Sequence, residues 1–400
     1  MALFFAVAYL SHGFSCAQFG IMSQPLQFFM MDGLKLNAAA VSSYMAIMML
    51  PWIWKPAIAV IIDFVPLMGY RKKAYLVIGY ILAVIALGSM YAASSIELIL
   101  CAILVAAITM SISTVLMVGM AIEQGRIDGK TRHYFRIQEI FYYSANIIAA
   151  IASGYLCHHF LPKDALHSAI LLAIVPLVLM TFLCWRMVSE EKSKIDVAAI
   201  KGTLSSFVEA GRSPFLWLAG VFSLCWNFMP SFGVPLYFYE SKTLAFSQSS
   251  IGQLAAFNAA GMLLAALIHR QVIDRMRPKM QLIFTSLVLS GSTLCYLGLR
   301  SVESAMLLEV MRGMANMFGI LGIYCFAAEY CPRRIEVSVM GLLVGLRNVA
   351  TNAAVFTGGQ LFTYVFPNNF SALVLVSAAA PLLAIPLIAL VSSREDGKAS

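Results

Sequence analysis

Polar residues cut this chain into apolar runs, and the length of those runs is the strongest signal it carries. A helix needs about 20 apolar residues to cross the roughly 30 Å hydrocarbon core of a bilayer. By that measure twelve spanning helices are predicted, near 2–30, 38–62, 74–93, 98–121, 137–157, 167–187, 214–238, 249–269, 280–299, 305–328, 339–365 and 370–391. The connections are short except for the polar stretch 188–213, which separates six helices from six. The expected organisation is a six-helix bundle over 1–187, a linker over 188–213, a second six-helix bundle over 214–391 and a tail over 392–400.

Composition agrees with that reading. Of 400 residues, 61% are hydrophobic and 12% charged, with mean hydropathy +0.84. Soluble domains carry about a quarter charged residues, so a soluble fold is excluded. The net charge of +8 sits in short loops between apolar runs, which argues for membrane topology and not for nucleic-acid binding. The eight cysteines form no CxxC pair and lie mostly in apolar runs, so neither a zinc site nor a disulfide framework is expected. The first run is too long for a signal peptide and lacks a basic leader, so it is read as a spanning helix.

Lysines and arginines set the orientation. With a cytoplasmic N-terminus, only Lys35, Lys163, Lys242 and Arg300 face outward, against 20 in the opposite loops and tail. This asymmetry places both termini in the cytoplasm. The two halves also echo each other. Asp63 and Arg71-Lys72-Lys73 in one loop correspond to Asp274, Arg275, Arg277 and Lys279 in the other half. Glu123 precedes Asn146 by the same 23 residues that separate Glu329 from Asn352. Matched six-helix halves are the mark of the major facilitator superfamily, giving an all-α membrane fold of twelve helices.

Three cations remain inside the apolar runs: Lys55, Arg312 and Arg347. Lys55 lies eight residues before Asp63, about 12 Å along the helix. Charge at membrane depth is costly and marks function by default, so these three are the candidates for binding an anionic substrate. Glu309 stands one turn from Arg312, and a local ion pair is the competing explanation. Asn227, Asn316 and Asn352 are further candidates for the substrate lining, with interhelical hydrogen bonding as the alternative. Glu139, Glu309 and His12 are the groups suited to carry a coupling proton. Pro51 and Pro56 flank Lys55, Pro230 and Pro235 interrupt the seventh run, and all four supply potential kinks. No catalytic cluster or Walker A sequence is present, so neither an enzyme nor an ATP-driven pump is expected.

The segment Pro51-Trp52…Lys55-Pro56…Asp63…Pro66…Gly69-Tyr70-Arg71-Lys72-Lys73 resembles the helix 2 signature of the folate-biopterin transporter family, a branch of the major facilitator superfamily. A second match runs through Cys331-Pro332, Glu336, Gly341-Leu342-Leu343 and Asn348. The resemblance implies a secondary carrier for folates, pterins or related anions, with cavity-lining helices that include those bearing Lys55, Arg312 and Arg347. It implies gating roles for Asp63, Gly69 and Arg71, and the repeat adds Asp274. Arg347 and Arg333-Arg334 depart from the family pattern, and an extra cation favours a more anionic ligand such as a carboxylate siderophore.

The expected protein is therefore a proton symporter of an organic anion, working as a monomer in a cell membrane, most simply a bacterial inner membrane, without a cofactor. The rivals are an exporter of the same fold and a non-transporting receptor built on a carrier fold.

Overall fold

The computed structural model describes residues 1–393 apart from 17, 94, 193–196, 213, 273–275 and 331–335. The helices in chain order are α1 (Ala2–Ser15), α2 (Ser23–Phe28), α3 (Ala38–Ile53), α4 (Lys55–Phe64), α5 (Lys73–Tyr91), α6 (Ile96–Asp128), α7 (Thr131–His159) and α8 (Pro162–Met187). They continue with α9 (Val197–Gly211), α10 (Pro214–Asn227), α11 (Val234–Phe238), α12 (Gln248–Val272), α13 (Pro278–Leu294), α14 (Val302–Tyr330), α15 (Glu336–Gln360) and α16 (Phe370–Ser393). No strand is present among the described residues, where an isolated bridge joins Leu67 and Tyr70.

Ten helical segments among the described residues are long and apolar enough to cross a membrane, and Ala2–Ser15 and Leu216–Asn227 are shorter apolar helices. These two short helices begin the first and seventh predicted runs, and both runs are interrupted. After α1 the chain turns at 18–22 before α2, and a Cβ on Gly20 would strike the carbonyl of Phe14. After α10 it turns through 228–233, where Gly233 has φ +78° and ψ −123° and Pro235 opens α11. That backbone region belongs to glycine, so the break is written into the residue type. At the other extreme, the 33 residues of α6 extend about 50 Å and outrun a bilayer core of about 30 Å.

The chain divides into two compact units. The first contains 1–36, 47–200 and 247–259, and the second 37–46, 201–246 and 260–400. In the first, α1 packs on α7, and α5 packs on α6 and α8. Small residues permit this: Gly13 lies against the Tyr142 carbonyl, and Ala165, Ala169 and Ala173 of α8 are fully buried. The outward side of α8 carries Leu171, Val175, Phe182 and Trp185, exposed as a lipid-facing surface must be. In the second unit, Phe222 and Trp226 of α10, Leu282 and Leu289 of α13, Ala315 and Ile323 of α14 and Ala384 of α16 form one core.

Each interrupted segment ends in the same local structure, at positions 210 residues apart. Pro25-Leu26 and Pro235-Leu236 open it, and single π-turns follow at Phe29–Gly33 and Tyr239–Thr243. The amides of Leu34 and Leu36 donate to the carbonyls of Phe29 and Met30, and those of Leu244 and Phe246 donate to Tyr239 and Glu240. Lys35 and Ala245 have φ of 57° and 53°. Asn37 and Ser247 then cap the next helices, accepting from the amides of Ala40 and Ser250.

Candidate functional site

Lys55 sits where a helix breaks. Pro51 lies inside α3 and Pro56 at the start of α4, and Trp54 between the two helices leaves α-helical geometry. The break places the Lys55 Nζ 4.2 Å from the ring centroid of buried Trp52, a cation–π arrangement. His12, also buried, meets Trp52 edge-on at 5.6 Å and stacks against Tyr142 at 5.9 Å. Phe19 also meets Trp52, and Tyr143 meets Tyr142 at 5.2 Å. Glu139, half-buried on α7, interacts electrostatically with Tyr9 of α1. Around this group, Tyr9 Oη, Ser11 Oγ, His12 Nδ1, Ser15 Oγ and Asn146 Oδ1 are buried and find no hydrogen-bond partner among the described residues. Thus one wall of the first unit combines a cation, a ring surface and unsatisfied polar atoms, all carried by α1, α3, α4 and α7.

The second unit holds a different arrangement. Arg312 and Glu309, one turn apart on α14, form an ion pair. Tyr296, in the 3-10 turn that ends α13, donates its hydroxyl to Glu309 Oε1 at 2.7 Å and accepts from Arg312 Nε at 3.2 Å. The guanidinium lies 4.4 Å above the ring of Phe232. Glu240 from the π-turn after α11 is buried beside them and interacts electrostatically with both Glu309 and Arg312. Arg347 stands apart from this cluster in its contacts, donating to the Tyr324 hydroxyl at 3.2 Å.

The asparagines divide by role. Asn227 donates back to the Ser223 carbonyl of its own helix at 2.7 Å, and Asn352 donates to the Ala46 carbonyl at 3.0 Å. Asn316 is half-buried on α14. Gln18 and Gln24 are spent on the Met48 and Gln248 carbonyls.

The basic turn before α5 is built around Gly69. Leu67 and Tyr70 exchange amide–carbonyl hydrogen bonds of 2.9 Å, with Met68 and Gly69 at φ 55° and 86° between them. Two successive positive φ values describe a type I′ turn, for which glycine is suited. Glu190 then reaches across and accepts the amides of Arg71, Lys72 and Lys73 at 3.0, 2.9 and 3.1 Å, occupying the N-terminus of α5. A carboxylate there receives charge-assisted bonds and favourable helix-dipole interaction. Lys72 pairs with Glu123. Asp63 lies on α4 in the last turn, and Asp274 lies outside the described residues.

The structure thus brings His12 and Lys55 onto one tryptophan and joins Glu309 to Arg312, while Arg347 takes a separate partner. Sequence reasoning did not select Glu240, Tyr296, Tyr324 or Glu190. Glu240 precedes Ser241-Lys242 and reads as a loop edge, and Glu190 is one acid in a polar linker. The π-turn that draws Glu240 inward is a backbone feature without a sequence signature of its own, save its likeness to residues 25–37.

A family model described as the BT1 family matches residues 17–398. The chain belongs to the BT1 family. It is 22% identical, over 97% of its length and 82% of the relative's, to the folate-biopterin transporter of Synechocystis sp.. It is 22% identical to folate transporter 1 of Plasmodium falciparum, across 83% of this chain and 67% of that one. Among solved structures it resembles a point mutant of the nucleoside transporter NupG, with TM-score 0.77 and 13% identity over 98% of this chain and 99% of that one. The fold is that of major facilitator-type transporters, and the chain is a multi-pass membrane protein of a transporter family, not an enzyme.

Proposed function

We propose that this chain is a secondary active transporter that carries an organic anion by alternating access with proton symport. The observation that carries the reading is Lys55, a cation at membrane depth, held over Trp52 at a helix break, with His12 of α1 on the same ring and unpartnered buried polar atoms on α1 and α7. Such a wall suits a planar ring that stacks and a carboxylate that meets the ammonium. The family's curated relatives named as folate and folate-biopterin transporters support a folate- or pterin-like ligand. The two interrupted helical segments support it independently. Corresponding broken segments at membrane depth are where transporter folds of this kind place their binding groups.

Lys55 binds the anion in this reading, and Arg347, tied to Tyr324, is a second contact. Asn227, Asn316 and Asn352 shape the surrounding helices. Arg312 is neutralised by Glu309, so it contributes less to anion binding than an unpaired cation would, which weighs against a highly charged polycarboxylate. Glu139, Glu309 and His12 serve proton transfer, and the turn holding Gly69 and Arg71, with Asp63 and Asp274, serves gating. In this reading each interrupted segment counts as one crossing, the twelve helices form two halves with both termini cytoplasmic, and the protein acts as a monomer in a bacterial inner membrane.

Purified protein in proteoliposomes provides the test. Folic acid, pterin and di- and tricarboxylates are first screened by thermal shift, and flux of a stabilising compound is then followed with pH gradients imposed in each direction. Lys55→Ala is expected to abolish flux while leaving the yield of folded protein unchanged. Flux at the wild-type rate in Lys55→Ala removes Lys55 from substrate binding, and binding without any counterflow replaces the transporter with a receptor.

A further inference from the structure

The repeated turn exposes a residue that structure alone does not require. Residues 25–37 and 235–247 share their π-turn, positive φ and helix cap, and the matched positions inside them are Met30 and Glu240. Met30 is fully buried and Glu240 is 4% exposed. Both use their carbonyl identically, accepting from Leu36 at 3.0 Å and from Phe246 at 2.9 Å. An apolar side chain therefore suffices to make this turn. The second copy instead buries a carboxylate, a costly choice in a membrane helix bundle.

Charge balance does not account for it either. Arg312 already has its counter-ion in Glu309, which takes the guanidinium and the Tyr296 hydroxyl together. Among the described residues, Glu309 and Arg312 of α14 act on Glu240, and Tyr296 from the turn after α13 is bonded to both of them; Lys242 of its own turn is solvent-exposed. Phe232 covers the guanidinium with an apolar ring. Fully ionised, Glu240, Glu309 and Arg312 amount to two carboxylates and one guanidinium, a net charge of −1 among these groups in a buried setting. Two carboxylates that share such a site do not both ionise freely, and a single bound proton removes the excess. Glu309 is committed to accepting three donated hydrogen bonds, from Arg312 Nε and Nη2 and from Tyr296. With Glu309 engaged by these three donors, the proton is assigned to Glu240.

We propose that Glu240 is a proton-binding residue and that the cluster of Glu240, Glu309, Arg312 and Tyr296 takes up and releases one proton. The step is a simple association of H⁺ with the Glu240 carboxylate, and it changes the charge of this buried cluster from −1 to zero. Its use as the coupling proton deepens the symport reading and rests on it; the existence of the site does not.

The test is infrared difference spectroscopy of the purified full-length protein in liposomes, as buffer pH is raised. The wild type is expected to show the C=O stretch of a buried, slowly exchanging carboxylic acid that disappears in a one-proton titration. Glu240→Gln removes that band. Glu309→Gln removes it too, because Arg312 then faces Glu240 alone and holds it ionised. Glu97→Gln, at an exposed carboxylate, leaves it unchanged. Absence of the band in wild type, or its persistence in Glu240→Gln, overturns the proposal. Glu240→Met, which copies the matched position, is expected to melt no lower than wild type, whereas a large loss of thermal stability assigns Glu240 a structural role instead. In flux assays, Glu240→Gln is expected to keep counterflow and lose acceleration by a pH gradient. A titrating band in a protein that moves no substrate leaves the proton site standing and sinks the transport reading; flux with no such band does the reverse.

Discussion

Tyr296 concentrates several interactions on one hydroxyl, donating to Glu309 and accepting from Arg312. Tyr296→Phe keeps the ring against Phe232 and deletes the donor, so thermal unfolding should detect a loss of about 1–3 kcal/mol, the cost of leaving a buried polar partner unsatisfied. An unchanged melting temperature would show that Glu309 does not depend on that bond. Glu190 offers a parallel case outside the membrane helices. Glu190→Ala leaves the three amides at the start of α5 without their acceptor and should lower stability by about 1 kcal/mol, a typical cost for a lost helix cap. Faster proteolysis at 65–73 would report it locally; the same cleavage rate in both proteins would dismiss the latch. Legibility at this scale followed electrostatics. Lys55, Glu309 and Arg312 announce themselves as charges inside apolar runs. Glu190 looks like its neighbour Glu191, and only the fold shows which of them meets the α5 amides.

Among the elements, two glycines separate backbone demand from space demand. Gly233 has ample room for a Cβ but an unfavourable φ of +78° for any other residue. Gly319 is helical, yet a Cβ there would fall within the indole of Trp226. Gly233→Ala should cost about 1–3 kcal/mol through backbone strain. Gly319→Ala should cost a similar amount, about 1–3 kcal/mol, through overpacking. The two are distinguished by a second change: Trp226→Phe should partly restore Gly319→Ala and do nothing for Gly233→Ala, as read by thermal denaturation. Equal rescue of both would refute the steric account. Among the described residues, ten of the twelve expected runs correspond to helical segments long enough to span, one of them broken at Trp54 between α3 and α4, because run length is a direct consequence of bilayer thickness. The breaks in the first and seventh runs were only partly legible. Pro230 and Pro235 signalled the second, whereas the turn at 18–22 depends on how closely Gly20 approaches the Phe14 carbonyl, and no local propensity encodes that approach.

For the molecule as a whole, the distribution of cations makes a topological prediction. Epitope tags at the two ends should be protected together in sealed right-side-out vesicles and become accessible together in inverted ones, with maleimide labelling of single cysteines at 35, 163, 242 and 300 showing the opposite pattern. Tags on opposite sides would mean an odd number of crossings and would defeat the twelve-helix count. Class was legible because it depends on summed hydropathy, a quantity that local error hardly disturbs, and side rests on summed charge, which the labelling tests. The chemistry was less so, because it depends on which face of each helix meets which neighbour. The paired turns at 25–37 and 235–247 carry a last consequence. One backbone shape is made with Met30 in the first copy and Glu240 in the second, so the number of titratable sites in such a chain is open to change by single substitutions without redrawing its backbone.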